Sequence, residues 1–203
     1  MPWPDDKRDR TRQRILDSAA RLFSLRGFDG VSLDDLMTEA GLTRGAFYHH
    51  FRTKTEVYRE SIAYAGKVGS ARLEMLGSAG LVSLVDQYLS THHRQGEDVR
   101  CPLAFMSTDV SHRDDEVRSS YTRTFEGFVS RLQLGLPDAS RQRALQLAAT
   151  LIGGVAIARA FDDEELAEEL LAACRAAGRA LVEDSCQQVP AVNGMSPGCC
   201  LRP

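Results

Sequence analysis

The sequence lacks several features that would point to common functions. No apolar run approaches the roughly 18 residues needed to span a membrane. The opening stretch, MPWPDDKRDR, is charged and has no apolar core, so no secretory signal is expected and the cytoplasm is the expected compartment. Strand-like alternation is absent and β-branched residues do not cluster, which excludes a sheet-based reading. There is no glycine-rich phosphate loop, no nucleophile elbow and no set of acids spaced for a metal. Cysteine is sparse and odd in number: Cys101, Cys174, Cys186, Cys199 and Cys200 match no zinc or thioredoxin spacing. Free thiols in a reducing compartment are expected. Cys200 stands fourth from the end, but Arg202 and Pro203 do not fit a prenylation motif. Aromatic residues are only 7% of the chain, yet Phe47, Tyr48, His49, His50 and Phe51 place five rings in a row.

A net charge of −3 over 203 residues gives no basic protein overall. The distribution is more telling than the total. Residues 7–14, KRDRTRQR, hold five basic residues and one acidic one, and residues 1–60 are net +1 against −4 for the rest. Alone, such an arm reads as a solvated tail.

The chain that is there reads as helix throughout. Ile15, Ala19, Leu22 and Phe23 recur at helical spacing in a first helix over about Asp9–Leu25, closed by Arg26-Gly27. Ser32, with Asp35 three residues on, caps a second helix, LDDLMTEA, that stops at Gly41. Thr43 caps a third over about Arg44–His50, and Thr53-Lys54-Thr55-Glu56 is a capping box opening a long fourth helix to about Leu76. Leu81, Leu84, Val85, Tyr88 and Leu89 make a fifth stripe, followed by a polar loop over 93–100. Cys101-Pro102 opens a sixth helix, Asp114 a seventh, Pro137-Asp138 an eighth, and a ninth follows Asp162. The residues after about Gln187, rich in Pro, Gly and Cys, are expected to be poorly ordered.

Two short helices about a tight turn at Gly41-Leu42 form a helix-turn-helix. On a wheel of about 100° per residue, Phe47 and Phe51 define one face, Gly45 and His49 the opposite face, and Tyr48 and His50 the flanks. That division suits a helix in a DNA major groove, its outer face toward base edges and its flanks toward phosphate. Gly45 lets the backbone come close, Arg44 can pair with guanine through two bonds, and Thr43, Tyr48, His50 and Lys54 can reach phosphates. A metal on His49-His50 is disfavoured, because neighbours on a helix diverge by about 100° and no third ligand is near. Plain surface packing is the remaining alternative for Tyr48.

The run TRQRILDSAARLFSLRGFDGVSLDDLMTEAGLTRGAFYHHFRTKTEVY resembles the DNA-binding domain of the tetracycline-repressor (TetR) family. The residues that carry the likeness are Thr11, Ile15, Ala19, Ala20, Leu22, Phe23, Gly27, Ala40, Gly41, Tyr48, Phe51 and Lys54. The resemblance implies an all-α repressor. A three-helix helix-turn-helix domain would be joined by a long helix to a helical ligand-binding and dimerisation domain. It places Ser32, Thr43, Tyr48, His50 and Lys54 where relatives contact phosphate, and Arg44, Gly45 and His49 where they meet bases. Leu33-Asp34-Asp35 departs from the family in its acidity and is expected to weaken contacts near the second helix. The expected division is a DNA-binding domain over 1–52, a regulatory and dimerisation domain over 53–186, and a tail over 187–203.

The eighth helix, RALQLAATLIGGVAIARAF, is apolar almost all round, so a second copy is expected to cover its outer side. Gly153-Gly154 would allow close approach, and Leu166, Leu170, Leu171, Leu181 and Val182 of the ninth helix would complete a four-helix homodimer interface. The expected partners are an operator duplex, a second copy and an unidentified small-molecule inducer, with no membrane, metal or cofactor. RCPLAFMSTDV resembles a segment in a subset of the family in which a cysteine opens the sixth helix. Cys101, Phe105, Met106, Tyr121, Phe125 and Phe128 are the candidate pocket residues, with plain core as the alternative for the apolar ones; a helix N-terminus can lower the Cys101 thiol pKa, the alternative being a small residue packed at a helix start. The competing readings are an enzyme pairing Cys101 with His112 or with His92-His93, and a helical module that binds only protein; the basic arm argues against the latter.

Overall fold

The computed structural model describes residues 5–75, 80–96 and 101–183, and every regular element among them is a helix. In chain order these are α1 (Asp5–Arg26), α2 (Leu33–Glu39), α3 (Arg44–Phe47), α4 (Lys54–Met75), α5 (Gly80–Tyr88) and α6 (Thr91–Gln95). They continue with α7 (Pro102–Phe105), α8 (Ser107–Val110), α9 (Asp115–Gly135), α10 (Arg141–Ala158) and α11 (Glu164–Glu183). No helix among the described residues is long and apolar enough to cross a membrane. The tail from Gln187, and with it Cys199 and Cys200, lies outside the described residues, as does Cys186.

The ends of the helices follow from their capping chemistry. The Ser32 hydroxyl accepts from the Asp35 amide at 3.1 Å while the Asp35 carboxylate accepts from the Ser32 amide at 2.8 Å, so both halves of the capping box form. At α4 only half of it forms: Thr53 Oγ1 accepts from the Glu56 amide at 3.1 Å, but Glu56 reaches back to the Arg52 amide at 2.6 Å. Asp114 caps α9 through the Val117 amide at 2.9 Å. Gly27 and Gly41 hold φ of 69° and 61°, the left-handed geometry that ends α1 and follows α2.

Several boundaries differ from expectation. α1 begins at Asp5, so the basic run at 7–14 is helix and not an arm before one. Part of the expected polar loop is α6, capped by Ser90 and closed by Gly96 at φ 72°; residues 97–100 lie outside the described residues. The expected sixth helix breaks at Met106, whose φ of −118° and ψ of 2° divide it into α7 and α8. α10 starts at Arg141 behind the Ser140 cap, because Ala139 takes a left-handed φ of 48° and ends any helix begun at Pro137.

Two hydrophobic clusters organise the chain. The first gathers Ile15, Phe23, Leu36, Phe47, Phe51 and Tyr58, together with Met106, Val110 and Val117 from the later helices. The second packs α5, α9, α10 and α11 around Val85, Leu132, Leu147, Leu151, Val155 and Leu171. Phe105 and Tyr121 touch both. The α7–α9 segment is therefore built into the core beneath the helix-turn-helix.

Candidate nucleic-acid interface and cavity

The turn between α2 and α3 is fixed by backbone bonds. Gly41 and Leu42 donate to Thr38 and Met37 carbonyls at 3.0 and 2.8 Å. Arg14 donates to the Ala40 carbonyl at 2.6 Å, tying the end of α2 to α1. Arg12, from the same basic run, pairs with Glu60 and lies over the Phe51 ring at 4.8 Å. Part of that run thus braces the fold.

α3 is shorter than expected: regular helix ends at Phe47, and the chain continues through tighter turns in which His49 and His50 donate to Ala46 and Phe47 carbonyls. The division of the rings survives this change. Phe47 and Phe51 are buried, at 0% and 1% exposure, while Tyr48 is 58% exposed and His49 is also exposed. Tyr48 keeps its ring edge-on to Phe47, with centroids 5.4 Å apart. An anchored inner pair thereby holds an outer polar surface in place.

Around this surface the expected contact residues take distinct positions. Thr43 is the N-cap of α3, and its side chain makes no cap hydrogen bond. Gly45 is exposed, and an added Cβ would find only Thr43 Oγ1, 4.0 Å away. Arg44 is not isolated: its Nη1 lies 3.1 and 3.3 Å from the two carboxylate oxygens of Asp34. Lys54 opens α4 with its Nζ 4.3 Å from the Phe28 ring centre, on a ring that Arg113 also covers at 4.7 Å. Ser32 uses its hydroxyl in the capping box. His50 is half-buried, with Nδ1 buried and unpartnered; burial, then the Arg8 and Arg12 guanidinia, hold its pKa below the usual imidazole range. Among the described residues no three His, Cys, Asp or Glu side chains group as a metal site.

A cavity of about 380 Å³ lies between α4, α5, α6, α7 and α9. Its walls include Ala65, Gly66, Gly69 and Ser70 of α4, Leu84 and Tyr88 of α5, His92 and His93 of α6, Cys101, Leu103, and Thr124 and Phe128 of α9. Of the six candidate pocket residues, Cys101 and Phe128 are in this wall. Met106 turns the other way into the first cluster, at 1% exposure, because the break after α7 redirects the chain. Tyr121 donates to the Leu103 carbonyl at 2.7 Å, Phe125 packs on the second cluster, and Phe105 is covered by the Arg159 guanidinium at 3.7 Å. The α4 wall was missed because α4 meets α9 only in the folded chain. The one sequence trace of it is the glycine pair within α4: a Cβ on Gly66 would sit 2.5 Å from Thr124 Cγ2, whereas Gly69 faces open space.

Cys101 heads α7, and Tyr88 donates its hydroxyl to the Cys101 sulfur at 3.0 Å. The expected fall in thiol pKa is not found: burial pushes it up, outweighing the Tyr88 hydroxyl and the Leu103 and Ala104 amides. Burial thus favours the neutral thiol over the thiolate.

Residues 15–60 match the family described as bacterial regulatory proteins, tetR family. An HTH-type transcriptional regulator of Mycobacterium tuberculosis is 30% identical over 173 residues, covering 75% of this chain and 86% of that protein. The HTH-type transcriptional regulator AcrR of Shigella flexneri is 50% identical over 50 residues, 25% of this chain and 23% of its own. The crystal structure of Escherichia coli NemR in its reduced form superposes with a TM-score of 0.71 at 23% identity, covering 85% of this chain and 97% of that one.

Proposed function

Since this chain belongs to the tetR family of bacterial regulatory proteins, and is a DNA-binding transcriptional regulator and not an enzyme, we propose that it is a cytoplasmic repressor. In this reading it binds a palindromic operator as a homodimer and leaves it when a small molecule enters the α4–α9 cavity. The observation that carries the DNA reading is the surface held out by buried Phe47 and Phe51: exposed Thr43, Arg44, Gly45, Tyr48 and His49 on one short element. Thr43 and Tyr48 contact phosphate, with Lys54, Ser32 and His50 beside them, while Arg44, Gly45 and His49 face base edges. Residues 1–52 carry DNA binding and 53–186 regulation, although Met106, Val110 and Val117 are shared with the first core.

The test is titration of promoter DNA against salt. Affinity should fall steeply as salt rises, because bound counterions are released. Tyr48→Ala should weaken binding to all duplexes, and Arg44→Ala should relax preference at one base position. A flat salt response without any shift of promoter DNA overturns the reading.

One observation favours a second route of release. Cys101 is among the residues that line the cavity, so an electrophile that enters lies beside a thiol, although burial, by raising its pKa, slows its reaction. Alkylation should then free the DNA in wild type and not in Cys101→Ser. An equal response of the two excludes thiol modification and leaves reversible ligand binding.

A further inference from the structure

The acid-rich start of α2 has so far no function. Its two carboxylates do different things. Asp35 completes the Ser32 capping box and lies 3.7 Å from Arg26, so it belongs to the fold. Asp34 takes no part in the cap. Its side chain is 66% exposed, and its partner is Arg44, the first residue of α3, itself 59% exposed. The bond joins one guanidinium nitrogen, Nη1, to both carboxylate oxygens, at 3.1 and 3.3 Å. A largely exposed pair of this kind adds little to stability. A negative group beside the DNA-facing end of α3 also opposes binding to a polyanion, so affinity for DNA does not account for it.

We propose that Asp34 is a specificity-determining residue: it holds Arg44 for base reading and keeps it from pairing with phosphate. This rests on the reading that Arg44 faces bases. Three physical consequences support it. An arginine side chain loses rotamer freedom when it binds, and holding it beforehand removes part of that cost. With Nη1 taken, the guanidinium still offers the edge formed by Nε and Nη2. That edge makes the two parallel bonds that guanine O6 and N7 accept. And if Arg44 swings to a phosphate, it either leaves Asp34 or carries a carboxylate toward the same phosphate, which is repulsive. Asp34 thus lowers affinity for any duplex while sharpening the choice of one base, the repulsive component that specific recognition commonly uses.

The experiment uses the full chain, a duplex selected by it from random DNA, that duplex with the guanine read by Arg44 replaced, and a scrambled duplex of equal composition. Asp34→Asn removes the charge and keeps the shape, and Arg44→Ala and the double variant complete a cycle. Circular dichroism at matched temperature checks that all remain folded, as exposure of both side chains leads one to expect. Asp34→Asn should bind the scrambled duplex several-fold more tightly, and its discrimination against the base-replaced duplex should fall by roughly tenfold. In the Arg44→Ala background the same substitution should leave discrimination unchanged. If Arg44→Ala alters base preference and Asp34→Asn raises affinity for every duplex by one factor, Asp34 is a simple repulsive charge and the proposal fails alone. If Arg44→Ala leaves base preference intact, the reading of Arg44 fails and the proposal with it.

Discussion

Tyr58 donates its hydroxyl to the carboxylate of Asp109, joining α4 to α8 across 51 residues of sequence. The same Asp109 oxygen accepts from the Phe28 amide at 3.1 Å, in the turn that leads from α1 to α2. Arg113 stands 3.5 Å from the other carboxylate oxygen and reaches Asp29 at 3.0 Å. The segment that begins in the cavity wall at Cys101 therefore carries a carboxylate that grips the turn between α1 and α2 and the first half of α4.

Asp109→Ala removes the acceptor shared by Phe28 and Tyr58 and leaves both donors without it. Hydrogen bonds to a charged group contribute about 1.5–3 kcal/mol each, so a loss of about 2–4 kcal/mol is expected in chemical denaturation. Tyr58→Phe, which leaves Asp109 its Phe28 bond, should cost about 1–2 kcal/mol. Burial and the bond to the neighbouring carboxylate push the Tyr58 pKa up, so the hydroxyl remains a donor at neutral and alkaline pH. A loss below about 0.5 kcal/mol in both variants would show that the seam does not depend on this carboxylate.

The α3 ring cluster should separate stability from binding. Phe47→Ala empties a fully buried site and should cost about 3–5 kcal/mol. Tyr48→Ala should change stability by less than about 0.5 kcal/mol while weakening DNA by roughly tenfold. Gly45→Ala gives the sharpest contrast. Open space around Gly45 and the better helix propensity of alanine should raise stability by up to about 1 kcal/mol, while the new methyl group obstructs close approach to the bases. Unchanged operator affinity in Gly45→Ala would remove Gly45 from the interface.

His50 gives a pH signature. Its pKa is lowered in the fold, by burial first and by Arg8 and Arg12 next. The folded chain then binds this proton less readily than the unfolded chain. The stability contributed by the neutral ring is complete above the unfolded value of about 6.5 and drains away as pH falls from there through the folded value. Thermal midpoints of wild type should drop between neutral and mildly acid pH by more than those of His50→Gln. Parallel midpoints in the two proteins would show that the ring titrates as it does in the unfolded chain.

What was legible in the sequence was mostly local. The Ser32 cap, the Gly27 and Gly41 stops and the inward Phe47/Phe51 pair depend on spacings of three or four residues, which a helical period exposes directly. The cavity depends on α4 meeting α9, and no period carries that contact; Gly66 and Gly69 were visible as residues but not as a wall. Met106 shows the same limit from the other side. A continuous helix would have aimed it with Phe105 and Cys101, but its backbone break sends it into the first core. The cap role of Asp35 follows from its spacing to Ser32, whereas the pairing of Asp34 with Arg44, ten residues on, shows only in the fold.

Gly153 and Gly154 are likewise adjacent, and the fold gives them opposite surroundings. A Cβ on Gly154 would come within 2.9 Å of Leu89 Cδ2 and 3.0 Å of Cys174 Sγ, so this glycine serves packing inside the protomer. Gly153 has nothing within 4 Å and lies on the outer side of α10, at helical spacing from Leu145, Ala149, Ala156 and Ile157. Leu145 and Ile157 are 38% and 52% exposed, and Leu166 on α11 is 46% exposed, whereas Leu171, expected at the interface, is fully buried in its own core. If the outer side of α10 joins two copies, Gly153→Arg puts a charge between them and leaves the protomer core untouched. Sedimentation should then show half the wild-type mass, with operator affinity falling because the two half-sites are no longer bound together. Gly154→Ala should do the reverse: it should cost about 1–3 kcal/mol in stability from overpacking and keep the wild-type mass. A Gly153→Arg chain that sediments and binds DNA like wild type would place the dimer contact elsewhere on the surface.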